Sequence, residues 1–297
     1  MKYHIEKNTI QETLVIPLYA RALCTRRFPH LFSDPLSVEL LEQLDYDFSA
    51  LERTSGSLMQ TFGAMEAAMR QSDLAWEVRD YLADHPQAAV VNLGCGLDQT
   101  GRSCDNGQCR LYNIDLPDVM AVREALLPAG EREKNLTADL NDLSWFDAID
   151  TPLEDGAVFF AAGVFYYFLT EQVRVLVQGM ANAFPGGVLV FDAANRTAVK
   201  MIAKTWLKTA KIQDVGAYFS VSDAKNELSP WDSRLQVSSR GYMLGYSDLK
   251  DRSVSGFFRF LAKVGDGMMK MQIVKIQFSG RDQEKKALVA MKKHKAQ

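Results

Sequence analysis

From residue 88 onward the apolar positions fall into short continuous runs separated by stretches of helical period. Runs at 88–93, 111–114, 135–138, 157–161 and 188–191 read as strands. Stretches such as Val158-Phe159-Phe160-Ala161 suit strands covered on both faces. Between the fourth and fifth runs, Val173, Leu176, Val177, Met180 and Phe184 recur at helical spacing. That helix opens at Thr170 with Glu171 in its first turn, where the helix dipole favours an acid, and stops at Pro185-Gly186-Gly187. Strand and helix in alternation predict a mostly parallel sheet with crossover helices. A further helix is expected near Thr197, and 211–251 reads as polar and irregular around Pro230. Two late strands, 257–264 and 270–278, are expected to pair antiparallel through the Gly265-Asp266-Gly267 turn. Before residue 88 the pattern changes: 9–23, 36–44 and 61–82 read as helices, with no strand. The expected organisation is a helical cap over 1–85 and a sheet domain over 86–297. That domain carries a variable insertion around 204–255.

Composition narrows the function classes. A chain of 297 residues with 47% hydrophobic and 24% charged residues buries a sizeable core, as soluble globular proteins do. The net charge of −3 gives no electrostatic footprint for nucleic acid. Lys292, Lys293 and Lys295 read as a solvated basic end. No run of apolar residues is long enough to span a membrane, and the polar start Met-Lys-Tyr-His-Ile-Glu-Lys lacks the apolar centre of a signal peptide. The four cysteines, Cys24, Cys95, Cys104 and Cys109, form no disulfide framework and have no clustered His for a metal. They are expected as free thiols in a reducing cytoplasm.

The densest chemistry lies where the first strand of the sheet breaks into Gly94-Cys95-Gly96-Leu97-Asp98. A glycine turn there lets a ligand lie on bare backbone at the carboxyl end of a parallel strand. A dinucleotide fingerprint needs a third glycine at the position of Gln99, and Asp98 would repel a pyrophosphate. A phosphate-free nucleoside bearing an ammonium group suits the turn better, and S-adenosylmethionine (AdoMet) is such a ligand. Asp115 ends the second strand at the spacing of a ribose-binding acid, with Leu116 next to it. Asp139 ends the third, and its carboxylate beside the Leu140 backbone N–H could read an adenine edge. Arg70 could clamp a carboxylate. Ala162-Gly163 closes the fourth strand, and the aromatics after it, Tyr166 and Tyr167 among them, could line an acceptor pocket.

Several of these pieces together resemble the leucine carboxyl methyltransferase and tetracenomycin-type polyketide O-methyltransferase family of class I AdoMet-dependent enzymes. The segments that carry the resemblance are Ala67-Ala68-Met69-Arg70, Asp80-Tyr81-Leu82, 91–98, Tyr112-Asn113-Ile114-Asp115-Leu116-Pro117, Ala138-Asp139-Leu140, 162–169 and Phe184-Pro185-Gly186-Gly187 into Val190-Phe191-Asp192. The resemblance runs over roughly 13–191 and loosens beyond. It implies a Rossmann-like α/β sheet, mostly parallel with an antiparallel last strand, under an N-terminal helical cap. It implies Arg70 on the AdoMet carboxylate, Gly94, Cys95, Gly96 and Asp98 around the methionine portion, and Asp115 with Leu116 on the ribose. Asp139 with Leu140 would take the adenine, and Ala162 and Gly163 would lie beside the cofactor. Many members have Glu where this chain has Ala162. The family's protein-carboxylate substrate is therefore not carried over, and a small-molecule hydroxyl or carboxylate is expected. A carboxylate needs no base; a hydroxyl does, with Tyr166, Tyr167 or an acceptor-side acid as candidates. Two other readings stand beside this one. A nicotinamide-dependent oxidoreductase would use a similar sheet, and a non-catalytic AdoMet-binding protein would keep the pocket without turnover.

Overall fold

The computed structural model describes residues 2–7, 9–202, 218–247 and 249–280. In chain order the principal elements begin with β1 (Tyr3–His4), α1 (Glu12–Arg27), α2 (Pro35–Gln43), β2 (Leu44–Asp45), α3 (Ser49–Thr54) and α4 (Leu58–Asp84). Next come β3 (Ala89–Leu93), α5 (Thr100–Ser103), β4 (Arg110–Asp115), α6 (Pro117–Leu126), β5 (Glu133–Thr137) and β6 (Ala157–Ala161). They are followed by α7 (Thr170–Ala183), β7 (Val188–Ala193), α8 (Arg196–Ile202), α9 (Ala224–Leu228), β8 (Leu235–Gly241), α10 (Gly256–Gly267) and β9 (Gln272–Phe278).

Seven strands form one sheet in the order β5-β4-β3-β6-β7-β9-β8. β3 to β7 run parallel, and β9 lies antiparallel between β7 and β8. The order reverses between β3 and β6, so the crevice above their carboxyl ends is the switch point where ligands bind in open α/β sheets. Alternate side chains separate two cores. Val91, Leu93, Phe159 and Leu189 pack under α7, while Val90, Val158, Phe160 and Val190 pack against α4. A third core joins α1 and α2 to Leu97, Val119 and Val122 beside the glycine turn.

Three expectations change here. Residues 257–264 are not a strand but most of α10: Phe258, Ala262 and Gly265 are buried at helical spacing, and the Ser255 hydroxyl caps the helix by accepting from Phe258 N. The expected hairpin is therefore absent, and the antiparallel last strand pairs with β7 and β8 instead. β8 lies in the stretch read as irregular. Only Leu235 and Val237 of this strand are buried, so its apolar signal is short. The N-terminal segment holds a two-residue parallel bridge, β1 to β2, and α4 is a layer on the sheet as well as part of the helical N-terminus. The expected insertion falls partly, and the basic tail wholly, outside the described residues. Among the described residues no helix is long and apolar enough to cross a membrane. All four cysteines are free and buried.

Candidate active site

The glycine turn is built by backbone geometry that other residues would strain. Gly94 has φ +61° and Gly96 φ +47°, in the left-handed region. A Cβ on Gly94 would lie 2.7 Å from a methyl of Val164, three residues past the β6 end. The turn is also bolted from below. Arg123 of α6, fully buried, donates from Nη1 to the carbonyls of Gly96 at 2.8 Å and Asp98 at 2.9 Å.

Above this turn a cavity of about 520 Å3 opens between the strand ends, α1 and α4. Its volume falls within the range of small-molecule and cofactor sites. The structure brings Arg70, Gly94, Cys95, Gly96, Asp98, Asp115, Leu116, Asp139, Leu140, Ala162, Gly163, Tyr166 and Tyr167 together around this one cavity. α1 contributes Leu14 and Pro17 as an apolar wall. The helical N-terminus thus supplies part of the cavity wall.

The acids differ in how they are held. Asp115 accepts from Gly96 N and Leu116 N, both at 2.8 Å, which ties the β4 end to the glycine turn. Burial raises its pKa, and those two N–H groups oppose the rise. Asp139 is exposed at the cavity rim and accepts from Asn141 N and Nδ2 through Oδ1. Asp98 is the most fully engaged. Oδ1 accepts from Gln71 Nε2 and from Thr100 N and Oγ1, and Oδ2 accepts from Asn92 Nδ2. It fixes the turn and lends the cavity negative charge more than it offers an empty acceptor.

Asp192, at the end of β7, is a site residue to which the sequence reading gave no role. Its side chain is 3% exposed; Oδ1 accepts from Gly163 N at 2.6 Å and Oδ2 pairs with Arg70 Nη1 at 3.2 Å. Arg70 thereby leans on the β6 end, where a Cβ on Gly163 (φ +71°) would fall 2.5 Å from Nη1. Nε of Arg70 is buried with no partner among the described residues. Tyr166 and Tyr242 flank this pair, and burial raises both phenol pKa values further, as it does for Tyr167. Three neutral phenols at physiological pH are hydrogen-bond donors and poor bases. Glu66, one helical turn before Arg70 on α4, also lines the cavity and was missed. The visible signal for it was the four-residue spacing to Arg70.

Comparison with known proteins agrees with this geometry. The sequence pattern of the leucine carboxyl methyltransferase family matches residues 15–181. The tetracenomycin polyketide synthesis O-methyltransferase TcmP of Streptomyces glaucescens is 31% identical over 186 residues, covering 62% of this chain and 66% of TcmP. The match thus spans slightly under two thirds of that relative. A solved protein of the DUF574 family from Streptomyces avermitilis MA-4680 superposes with a TM-score of 0.56 at 10% identity, covering 88% of this chain and 97% of its own. A candidate methyltransferase from Thermobifida fusca YX gives 0.54 at 17% identity, over 73% and 82%. The sheet order and these neighbours make the fold that of the class I methyltransferases. With more than half of its length matching the family pattern, the chain belongs to the leucine carboxyl methyltransferase family.

Proposed function

We propose that this chain is an AdoMet-dependent methyltransferase that methylates an oxygen, hydroxyl or carboxylate, of a small molecule. The observation that carries the proposal is the convergence of bare glycine backbone and two strand-end acids on one cavity, in a chain of a methyltransferase family. The residues present fit AdoMet. A side chain at Gly94 would collide with Val164, so the turn is kept bare. Asp115 keeps lone pairs beyond its two backbone donors for ribose hydroxyls. Asp139 with Leu140 N would hold the adenine edge at the rim. Arg70, with an unpartnered Nε, would take the amino-acid carboxylate. Asp98 sets a negative field for the ammonium. The absence of a glycine at Gln99 continues to speak against a pyrophosphate.

When bound, AdoMet supplies an electrophilic methyl group on a sulfonium, whose departure leaves a neutral thioether. The protein's part is alignment and exclusion of water. Leu14 and Pro17 from the helical N-terminus wall off one side, and Tyr166 and Tyr167 orient the acceptor oxygen by donating hydrogen bonds. The free buried thiols support a cytoplasmic setting, and the net charge of −3 supports a small molecule over nucleic acid.

Calorimetry with AdoMet and NAD side by side tests the assignment, followed by transfer of labelled methyl into a panel of phenols and carboxylic acids. AdoMet binding and transfer are expected; NAD binding alone would overturn the reading. Asp115→Ala is expected to weaken AdoMet binding by about 1–3 kcal/mol, since it strands the hydroxyls and two backbone donors. Unchanged affinity in a folded variant would remove Asp115 from the ribose site.

A further inference from the structure

We infer that Glu66 takes the α-ammonium of AdoMet, so that Glu66 and Arg70, one turn apart on α4, grip the amino-acid end of the cofactor by both of its charges. This role rests on the methyltransferase reading above and adds a residue to it. Hydroxyl and carboxylate acceptors are equally compatible with it.

Five acids line the cavity, and four are already engaged by protein donors. Asp98 accepts four hydrogen bonds, from Gln71, Asn92 and both donors of Thr100, which fills a carboxylate. It lends the ammonium its field but no free lone pair. Asp192 is held by Gly163 N and Arg70, and Asp115 by Gly96 N and Leu116 N on the ribose side. Asp139 stands at the rim, bonded to Asn141. The fifth acid is Glu66, whose side chain has no hydrogen-bond or ion-pair partner among the described residues.

Its carboxylate is placed by the groups that feel its charge. Arg70 is the charged neighbour that opposes the rise in the Glu66 pKa, and the Glu66 charge in turn helps raise the pKa of Tyr242. The carboxylate thus lies in the field of that guanidinium and that phenol, on the cavity wall all three share. It closes no ion pair with Arg70, whose Nη1 is turned to Asp192 at 3.2 Å. Arg70 Nε is buried and unpartnered. An unpaired carboxylate and a partly free guanidinium therefore face one cavity from the same helix. A carboxylate only accepts, and guanidinium and ammonium groups only donate. An α-amino acid carries an ammonium and a carboxylate on one carbon, and so satisfies both at once.

Charge balance favours the same occupant. Arg21, the other cation on the cavity, is committed to Asp34 and the Leu97 carbonyl, and Ala162 leaves the β6 end without charge. A cofactor carboxylate arriving alone would add a second anion beside the buried Asp192. With the ammonium on Glu66, the cations Arg70, ammonium and sulfonium meet the anions Asp192, Glu66 and cofactor carboxylate, and no buried charge is left unpaired.

The clamp is linked to a proton. Burial raises the Glu66 pKa to about 7, with Arg70 opposing. The ammonium binds the ionised form, so binding near neutral pH releases a proton. Affinity for an amine-bearing ligand then rises roughly eightfold from about pH 6 to about pH 7.5 and levels off. The other charged and titratable groups facing this part of the cavity are Arg21, Arg70, Asp192, Tyr166 and Tyr242. Burial pushes both phenols well above their ordinary range, so neither titrates there.

Calorimetry on the full chain tests the clamp with four ligands. They are AdoMet, S-adenosylhomocysteine, its desamino analogue with hydrogen in place of the ammonium, and 5′-methylthioadenosine, which lacks the amino acid altogether. The wild type is expected to prefer S-adenosylhomocysteine over the desamino analogue by roughly 10- to 100-fold, the range of a hydrogen bond to a charged group. Glu66→Gln should cut that preference by about fivefold or more and lose the pH rise. It should bind 5′-methylthioadenosine as the wild type does, which also shows that its cavity is folded. Glu66→Asp, which keeps the charge, should restore part of the preference. A wild-type preference below about tenfold, or one that Glu66→Gln leaves in place, overturns the role of Glu66 while the methyltransferase reading stands. An equal loss for every ligand, 5′-methylthioadenosine included, overturns it as well, because Glu66 would then only shape the cavity. Binding of neither AdoMet nor S-adenosylhomocysteine by the wild type overturns the methyltransferase reading itself.

Discussion

Asp192→Asn isolates the charge that holds Arg70 over the cavity. Asparagine has the same shape, and its Oδ1 can still accept from Gly163 N, so the β6 end keeps its anchor. What changes is the other atom: an amide donor replaces Oδ2 and faces a guanidinium donor at 3.2 Å. Removing one partner of a buried ion pair costs about 3–5 kcal/mol, most of it the stranded charge. The Asp192 side chain is 3% exposed, but that of Arg70 is 18% exposed and opens on the cavity. Water can enter there and solvate the abandoned guanidinium, which places the expected loss at about 2–3 kcal/mol, below the fully buried case. Urea unfolding of the wild type, Asp192→Asn, Arg70→Met and the double variant measures it as a cycle. If the pair is what holds the two residues, the double variant loses less than the sum of the singles, by about 1–3 kcal/mol. Salt should change this coupling little, since a buried pair is weakly screened. Additive losses within about 0.5 kcal/mol would mean that the residues do not depend on each other, and that the site's second anchor lies elsewhere.

Two further perturbations follow from the same geometry. Gly94→Ala places a Cβ 2.7 Å from Val164 Cγ2 at φ +61°, so left-handed strain of about 1–2 kcal/mol adds to a clash between the turn after β3 and the segment after β6. Urea unfolding should show at least that loss and calorimetry a roughly tenfold or greater fall in AdoMet affinity; wild-type values for both would mean that the turn relaxes freely. Asp73 is fully buried, and desolvation raises its pKa to about 7, with Asp266 and Glu77 adding repulsion and the Met243 N–H opposing it. The folded chain holds this proton after the unfolded chain has released it, so stability falls as pH rises from about 4 to about 7 and then levels off. Asp73→Asn should lose that slope, gaining on the wild type between pH 5 and pH 8 by at most about 4 kcal/mol; a pH-independent difference in urea unfolding would remove the charge argument.

The sheet was legible because β3, β4, β6 and β7 each announce themselves by an apolar run, while the edge strand β5, Glu133–Thr137, carries a single apolar residue and begins two residues before the expected 135–138. Asp115 and Asp139 were placed by strand order. Once β4 and β5 are known to lie side by side and parallel, the residues just past their ends must share one edge of the sheet, whatever their side chains do. What lay beyond the parallel part was less secure. Phe257, Phe258, Phe260 and Leu261 satisfy a strand by type, and only the burial of Phe258, Ala262 and Gly265 separates a helix from it. That burial depends on α4 being there, since Phe258 packs on Phe62 and Phe28.

Glu66 marks the same boundary inside the site. A strand end is positioned by hydrogen-bond register, which fixes it to a fraction of a residue. A helical acid is positioned by rotation about the helix axis, about 100° per residue. Nothing local distinguishes Glu66 facing the cavity from Glu66 facing water. The choice is made by Met65, Met69 and Val78, which seat α4 on the sheet, and by the three hydrogen bonds that clamp its other stripe to 242–246. Chemistry carried by strand ends can therefore be read from sequence order. Chemistry carried by the covering helix waits on the packing, which is why Asp115 and Asp139 could be placed from sequence order while Glu66 lined the cavity only once α4 was in place.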